Sequence, residues 1–433
     1  MDKCTTVPAL ACAFALIGSP LLMFTSFDPS QALDARPENR IFWPALTAIS
    51  LWLLVQHRSR LRGVTCPPHI ICLLSYLAFA GASVVWAFSP ERSFVRFVQQ
   101  GMIVTSILVP SFVAARQADL LRGLFLCFAV SLVLNLIFVL GGSVTITRYA
   151  SGLVNLGYQG YFDGKNYLGE CAAVGLLLSW QEALAPGRRR VLGLVIGSLA
   201  IALVWLSDSK TAFGLAIVCP ALAQIALGVR KLTHLSIAVI LLFIPLVYVV
   251  LSSIVPFNIM DRVAYILYGD STLTGRTIIW AFAQYEIGRR PIAGWGYQSF
   301  WLVPGSPTVT DAPGWVKMMP NAHNGYYDTM LETGYVGLAL LLTFVVVTLH
   351  CIGRLANQDP TRARTVLSLA LFVICYNYFE TLWLRGFEFL WLVFLILAAD
   401  VGRYWQPTRR GGVVGVAPAR PGRQAHQLRM RLS

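Results

Sequence analysis

Apolar runs long enough to cross a bilayer, about 17–25 residues each, alternate along this chain with short polar punctuation. Of its 433 residues 56% are hydrophobic and only 12% carry charge, against about 25% charged in an ordinary soluble domain. The deficit lies in the apolar runs, so the pattern specifies a polytopic, all-α integral membrane protein. The net charge of +14 does not point to nucleic acid, because the basic residues fall in small clusters between apolar runs. None of the nine cysteines lies in the longest polar loop, so no disulfide framework is expected. The first run is long and lacks a small-x-small cleavage site, which reads as an uncleaved span rather than a secretory signal.

Taken in order, twelve spans are expected at 7–27, 41–56, 69–88, 97–114, 123–140, 166–185, 191–207, 212–229, 235–254, 328–349, 365–380 and 387–401. With both termini on the cytoplasmic side, the inner segments hold 21 of the 34 Lys and Arg and the outer segments 13, the bias that orients such proteins. Five of the outer thirteen sit in the single long loop, 255–324, where the rule has little force. The division is therefore 1–254 for the first nine spans, 255–327 for a long extracytoplasmic loop carrying short interfacial helices, 328–402 for the last three spans, and 403–433 for a basic tail whose Arg, Gly and Pro content suits disorder.

Four outer segments carry residues that span-building does not require. Asp208 and Lys210 occupy a tight turn between two apolar helices, and read either as a solvated turn with a local ion pair or as charge placed for a purpose. Residues 277–287 suit a short interfacial helix with Trp280, Phe282 and Tyr285 in the headgroups. Arg276 then sits at its start, the wrong end for a cation in the helix dipole unless an anion also faces the free N–H groups there. Gly294, Trp295, Gly296, Tyr297, Phe300 and Trp301 read as interfacial aromatics, or as ring faces presented by tight turns to a sugar. His323, flanked by Asn321 and Asn324, leads through Gly325 into the tenth span. In an unbroken helix from His323, Glu332 is rotated by about 900°, onto the opposite face. It is therefore expected to bind backbone or a loop cation in a structural role, sharing a face with Asp328.

In order along the chain, Asp163-Gly164-Lys165-Asn166-Tyr167-Leu168-Gly169, Ser207-Asp208-Ser209-Lys210-Thr211-Ala212, Thr272-Leu273-Thr274-Gly275-Arg276-Thr277, Gly294-Trp295-Gly296-Tyr297 and Ala322-His323-Asn324-Gly325-Tyr326 through Gly334 form a set. It resembles the O-antigen ligase and Wzy-type polymerase superfamily, nearest to exopolysaccharide polymerases of the ExoQ type. The resemblance implies a GT-C-like membrane glycosyltransferase, multi-pass in a bacterial inner membrane, that works without a metal or other cofactor. Its implied donor is a polyprenyl-diphosphate-linked glycan and its acceptor a second lipid-linked glycan or the lipid A core. Lys210 and Arg276 are implied to hold the diphosphate and His323 to act on the acceptor. Lys165, Arg289, Trp295, Tyr297, Trp301 and Asn324 are further substrate-binding candidates. A chain-length regulator and export proteins are candidate partners alongside the bilayer. Lys210 stands where ligases commonly carry arginine, which tells against a ligase because lysine cannot make the bidentate phosphate fork.

The chemistry suits these groups. An attacking sugar hydroxyl must lose a proton, which a histidine, with a reference pKa near ~6.5, can accept. A diphosphate leaving group needs charge stabilisation more than protonation, which fixed cations at a low-dielectric surface supply. Direct displacement inverts the anomeric centre, and the diphosphate–sugar bond drives the reaction without ATP. Two other classes compete. A transporter or flippase suits twelve spans, but the symmetry of inverted repeats is not visible. A non-catalytic export scaffold has no need of His323, Arg276 and Lys210 together.

Overall fold

Helix dominates the computed structural model, which describes residues 3–25, 37–61, 64–115, 119–149, 152–254, 275–386 and 388–405. Backbone N–H and C=O groups in hydrocarbon must be satisfied within their own segment, and each apolar run is accordingly helical. The order is α1 (Lys3–Ala13), a π turn at Phe14–Gly18, α2 (Ser19–Thr25), α3 (Pro37–Gln56), α4 (Pro68–Ala82), α5 (Pro90–Val113), α6 (Leu120–Leu140), α7 (Lys165–Ala183), α8 (Arg188–Leu206), α9 (Lys210–Thr233) and α10 (Ile237–Ile254). After residues 255–274, which lie outside the described set, come α11 (Arg276–Arg289), α12 (Pro307–Thr310), α13 (Gly325–Ala356), α14 (Pro360–Tyr376) and α15 (Phe389–Trp405). Among the described residues six segments are long and apolar enough to cross a membrane: Lys3–Leu22, Pro68–Trp86, Leu120–Leu140, Arg188–Leu206, Lys210–Thr233 and Gly325–Ala356. The centre is α15, whose residues from Phe389 to Gly402 are all buried.

Two departures from the sequence expectation bear on the site. The polar stretch after α6 is a β-hairpin, β1 (Val144–Tyr149) against β2 (Gly152–Tyr158), antiparallel with Val144 opposite Tyr158 and Tyr149 opposite Gly152. The sequence from Val144 to Tyr149 is rich in β-branched residues, which favour strand. At Gly157, with φ +125°, a Cβ would lie 2.4 Å from the carbonyl oxygen of Ser207, so the hairpin docks against the turn before Lys210.

The second departure is a break in α13. Gly334 has φ +66° and ψ −167°, a conformation essentially confined to glycine. The break leaves backbone groups without helical partners, and the loop after α11 takes them. Trp295 N–H donates to Leu331 O at 2.7 Å, Gly296 N–H to Glu332 O at 2.8 Å, and Tyr335 N–H to Pro291 O at 2.7 Å. Gly294, at φ +66°, meets the same bend, with a Cβ position 2.5 Å from the Glu332 carbonyl carbon. The glycines of both sequence motifs thus serve one backbone interlock.

Charge sorts to the two ends of the helix array. At one end Arg362 pairs with Asp400 (2.7 Å) and Asp119 (3.2 Å), and Glu182 holds both Arg122 and Arg189. The start of α7, the end of α8, the start of α13 and the end of α14 meet at the other.

Candidate active site

His323 is fixed from both sides before its chemistry is considered. Asn324 caps α13, its side-chain oxygen accepting the N–H groups of Tyr326 and Tyr327 at 3.0 and 3.1 Å. Gly325 N–H donates to the carbonyls of Asn377 and Glu380, and a Cβ there would lie 2.3 Å from Asn377 Oδ1. On the other side, Ala322 N–H donates to the Asp328 carboxylate at 3.1 Å while its carbonyl accepts Trp280 Nε1–H at 3.0 Å. His323 itself takes the left-handed conformation, φ +48°, with its N–H on Asn321 Oδ1 at 2.9 Å. A non-glycine residue there is sparsely populated and persists only where its surroundings hold it.

The imidazole meets a carboxylate that the sequence reading assigned only to the end of the eleventh span. Glu380, four residues past the end of α14, puts Oε2 2.8 Å from His323 Nδ1. Its other oxygen, Oε1, lies 2.7 Å from Arg276 Nη2, and Arg276 Nε–H donates to the Phe379 carbonyl at 3.1 Å. Burial by itself pushes the Glu380 carboxyl up, but the hydrogen bond and charge of His323 and the charge of Arg276 outweigh it and hold the group below the usual carboxylate range. An ionised carboxylate only accepts, so His323 Nδ1–H donates to it and Nε2 is the ring nitrogen left to face a substrate. With the side chain 32% exposed, Nε2 is accessible and has no hydrogen-bond partner among the described residues. The arrangement can take a proton from a hydroxyl, with the carboxylate steadying the tautomer and the imidazolium that forms.

Two further stretches join this centre. Asn166 Nδ2–H reaches Glu380 Oε1 at 3.4 Å, and Asn166 Oδ1 accepts the Ser209 hydroxyl at 3.3 Å. Lys210, the next residue, is exposed at the start of α9. Lys165 Nζ binds the carbonyl and carboxylate of Asp208 at 3.1 and 3.2 Å, so Asp208 takes its cation from α7. Gly169 lets α7 and α9 approach, since a Cβ would stand 2.6 Å from Ser209 Cβ. His323, Glu380, Arg276, Asn166 and Ser209 are therefore one hydrogen-bonded chain, with Lys165 and Lys210 beside it.

Other candidates are placed elsewhere. Trp295, Tyr297 and Trp301 are 5%, 1% and 5% exposed, and each polar atom is used internally: Trp295 Nε1–H on Glu286 O, Tyr297 O–H on Leu384 O, Trp301 Nε1–H on Asp328 Oδ1. Their faces are packed inside protein, which corrects the expectation of open platforms for sugars. Trp280 and Phe282 likewise enter a small core with Ile279, Ala283, Phe300, Val316 and Leu331, leaving Ile278 and Tyr285 outward. Two of the three aromatics that the headgroup reading used, Trp280 and Phe282, are thus packed in protein, and only Tyr285 faces outward. Arg289 pairs with Glu286 and Asp311, both at 3.1 Å, at the far end of α11, about 20 Å from Arg276 by helical rise. Asn324 is buried at 1% and acts as the cap. Glu332 binds Arg385 at 2.7 Å, with Asp328 3.5 Å from the same guanidinium.

Sequence reasoning missed Glu380 and Arg385, and quoted Asn166 within a motif without giving it a role. The available signal was span parity, which puts Glu380 and Arg385 at the same end of the array as His323.

Residues 171–342, which include Lys210, Arg276 and His323 but neither Glu380 nor Asn166, match the family described as O-antigen ligase. Over 341 residues, 74% of this chain and 74% of the relative, the sequence is 27% identical to the exopolysaccharide production protein ExoQ of Rhizobium meliloti (strain 1021). This is a multi-pass membrane protein of the exopolysaccharide or O-antigen polymerase–ligase kind. The ordered motifs and these two matches make the chain similar to O-antigen ligases and to ExoQ.

Proposed function

We propose that this protein polymerises polyprenyl-diphosphate-linked oligosaccharide repeat units into exopolysaccharide at the extracytoplasmic face of the bacterial inner membrane. The carrying observation is the His323–Glu380–Arg276 unit, in which one carboxylate joins a base to a cation. The acceptor hydroxyl gives its proton to His323 Nε2 as its oxygen attacks the anomeric carbon. The bond from that carbon to the diphosphate oxygen breaks, and the polyprenyl diphosphate leaves with the electron pair. Arg276, Lys210 and the N–H groups opening α11 stabilise the charge on the departing diphosphate. Single displacement inverts the anomeric centre, and no step is routed through a metal ion.

General-base assistance is worth about 10²–10⁴-fold. His323→Ala in proteoliposomes supplied with lipid-linked repeat units is expected to lose at least that much transfer rate. Near-normal transfer by the variant would sink the assignment. The acceptor is read separately in cells lacking the protein. Loss of polymer with single repeat units still made identifies a polymerase, whereas polymer missing only from lipid A identifies a ligase.

A further inference from the structure

At the end of the helix array away from His323, α9, α13 and α14 enclose a cavity of about 570 Å³ whose wall carries Arg230, Lys231, His234, Asn357 and Arg364 and no carboxylate. That is within the size range of small-ligand sites. Basic residues in the last turn of α9 are unremarkable, because Arg230 and Lys231 complement the helix dipole there. Arg364 is different. It is the fifth residue of α14, near the end where the dipole disfavours a cation. Arg362, two residues earlier, is matched by Asp400 and Asp119. Among the described residues Arg364 has no ion pair, and its Nε is buried without a hydrogen-bond partner. Arg230 is anchored by Leu235 O and Asn357 Oδ1, so the wall is held in place. A cavity that gathers cations from two helices, one of them against its own dipole, is electrostatically incomplete without an anion.

We infer that this cavity binds a phosphate-bearing anion, through Arg230, Lys231 and Arg364, at a site separate from the proposed catalytic centre. Such chemistry has two sources, the headgroup of an anionic phospholipid or a soluble phosphate ester. The full-length protein in detergent is titrated with short-chain phosphatidylglycerol, short-chain phosphatidylcholine, inorganic phosphate and chloride at matched ionic strength, reading the thermal unfolding midpoint. Saturable stabilisation by phosphatidylglycerol, by phosphate or by both is expected, with none from phosphatidylcholine or chloride. Arg364→Gln weakens it at least tenfold, while Arg58→Gln, exposed in the connection after α3, stays within twofold of the parent. A response to phosphatidylglycerol alone assigns the lipid headgroup, and a response that includes phosphate assigns a soluble ester. Absence of saturable stabilisation, or equal weakening by both substitutions, overturns the inference. Should Arg364→Gln fail to accumulate, Lys231→Gln, on the exposed rim, carries the same comparison.

Discussion

Replacing Glu380 by glutamine keeps the shape of the side chain and removes its charge, which isolates what the carboxylate does for His323 and Arg276. On the proposed mechanism Glu380→Gln lowers the transfer rate by about 10²-fold or more, because the proton on Nδ1 is no longer fixed and the imidazolium loses its counter-charge. Glu380→Asp recovers part of the rate, an outcome that a purely structural role would not give; both are read in the proteoliposome assay. The same carboxylate makes a stability prediction. Its native pKa is depressed by His323 and Arg276 against the opposing effect of burial, so the unfolded chain binds this proton at a higher pH than the native one. Stability therefore rises with pH through that window. The contribution is complete above the ordinary glutamate value near ~4.3 and is lost as pH falls through the lower native value. Unfolding midpoints of parent and Glu380→Gln measured from pH 7 downward are expected to converge only below the ordinary carboxylate range. His323, Arg276 and Lys210 could be singled out from sequence because cations and a histidine stand out among apolar neighbours. Glu380 could not, since its partner is 57 residues away and it looked like the last residue of an apolar span.

At the scale of elements, the interlock between the loop after α11 and the broken part of α13 is the most sharply testable feature. A Cβ on Gly334 would come within 2.2 Å of the Ile292 carbonyl oxygen, and its backbone lies at positive φ. Gly334→Ala is expected to cost about 1–3 kcal/mol in backbone strain alone, seen as a lower thermal midpoint and reduced transfer. Gly101→Ala in α5 is the control, because nothing lies within 4 Å of its Cβ position and alanine is the better helix former. The helices were readable from sequence because length and apolarity suffice to specify them. The break was not, since a glycine within an apolar helix carries no mark of what approaches it. The aromatic loop was misjudged for the same reason: tryptophans suit an interface and a core equally, and only the partners of Trp280, Trp295 and Trp301 separate the two.

Across the whole molecule, the two charged ends give the orientation its test. Cys66, in the basic connection between α3 and α4, is the exposed one of the nine cysteines, all free thiols, and Met318 is 75% exposed near the His323 end. With both termini cytoplasmic, a membrane-impermeant maleimide is expected to label Cys66 only in inside-out vesicles. In a Cys66→Ser background, Met318→Cys is expected to label only right-side-out. Reversed labelling of either would overturn the assigned orientation. The break in α13 also sets an elevation. Unbroken, its 32 residues would run about 48 Å, well beyond the ~30 Å of a hydrocarbon core. The stretch after Gly334, 335–356, measures about 33 Å and matches that thickness alone. The nine residues before it can then stand clear of the lipid, lifting His323 by up to about 14 Å. A diphosphate anchored among headgroups carries its first sugar at a comparable height, so one glycine would fix how far above the membrane each new linkage is made.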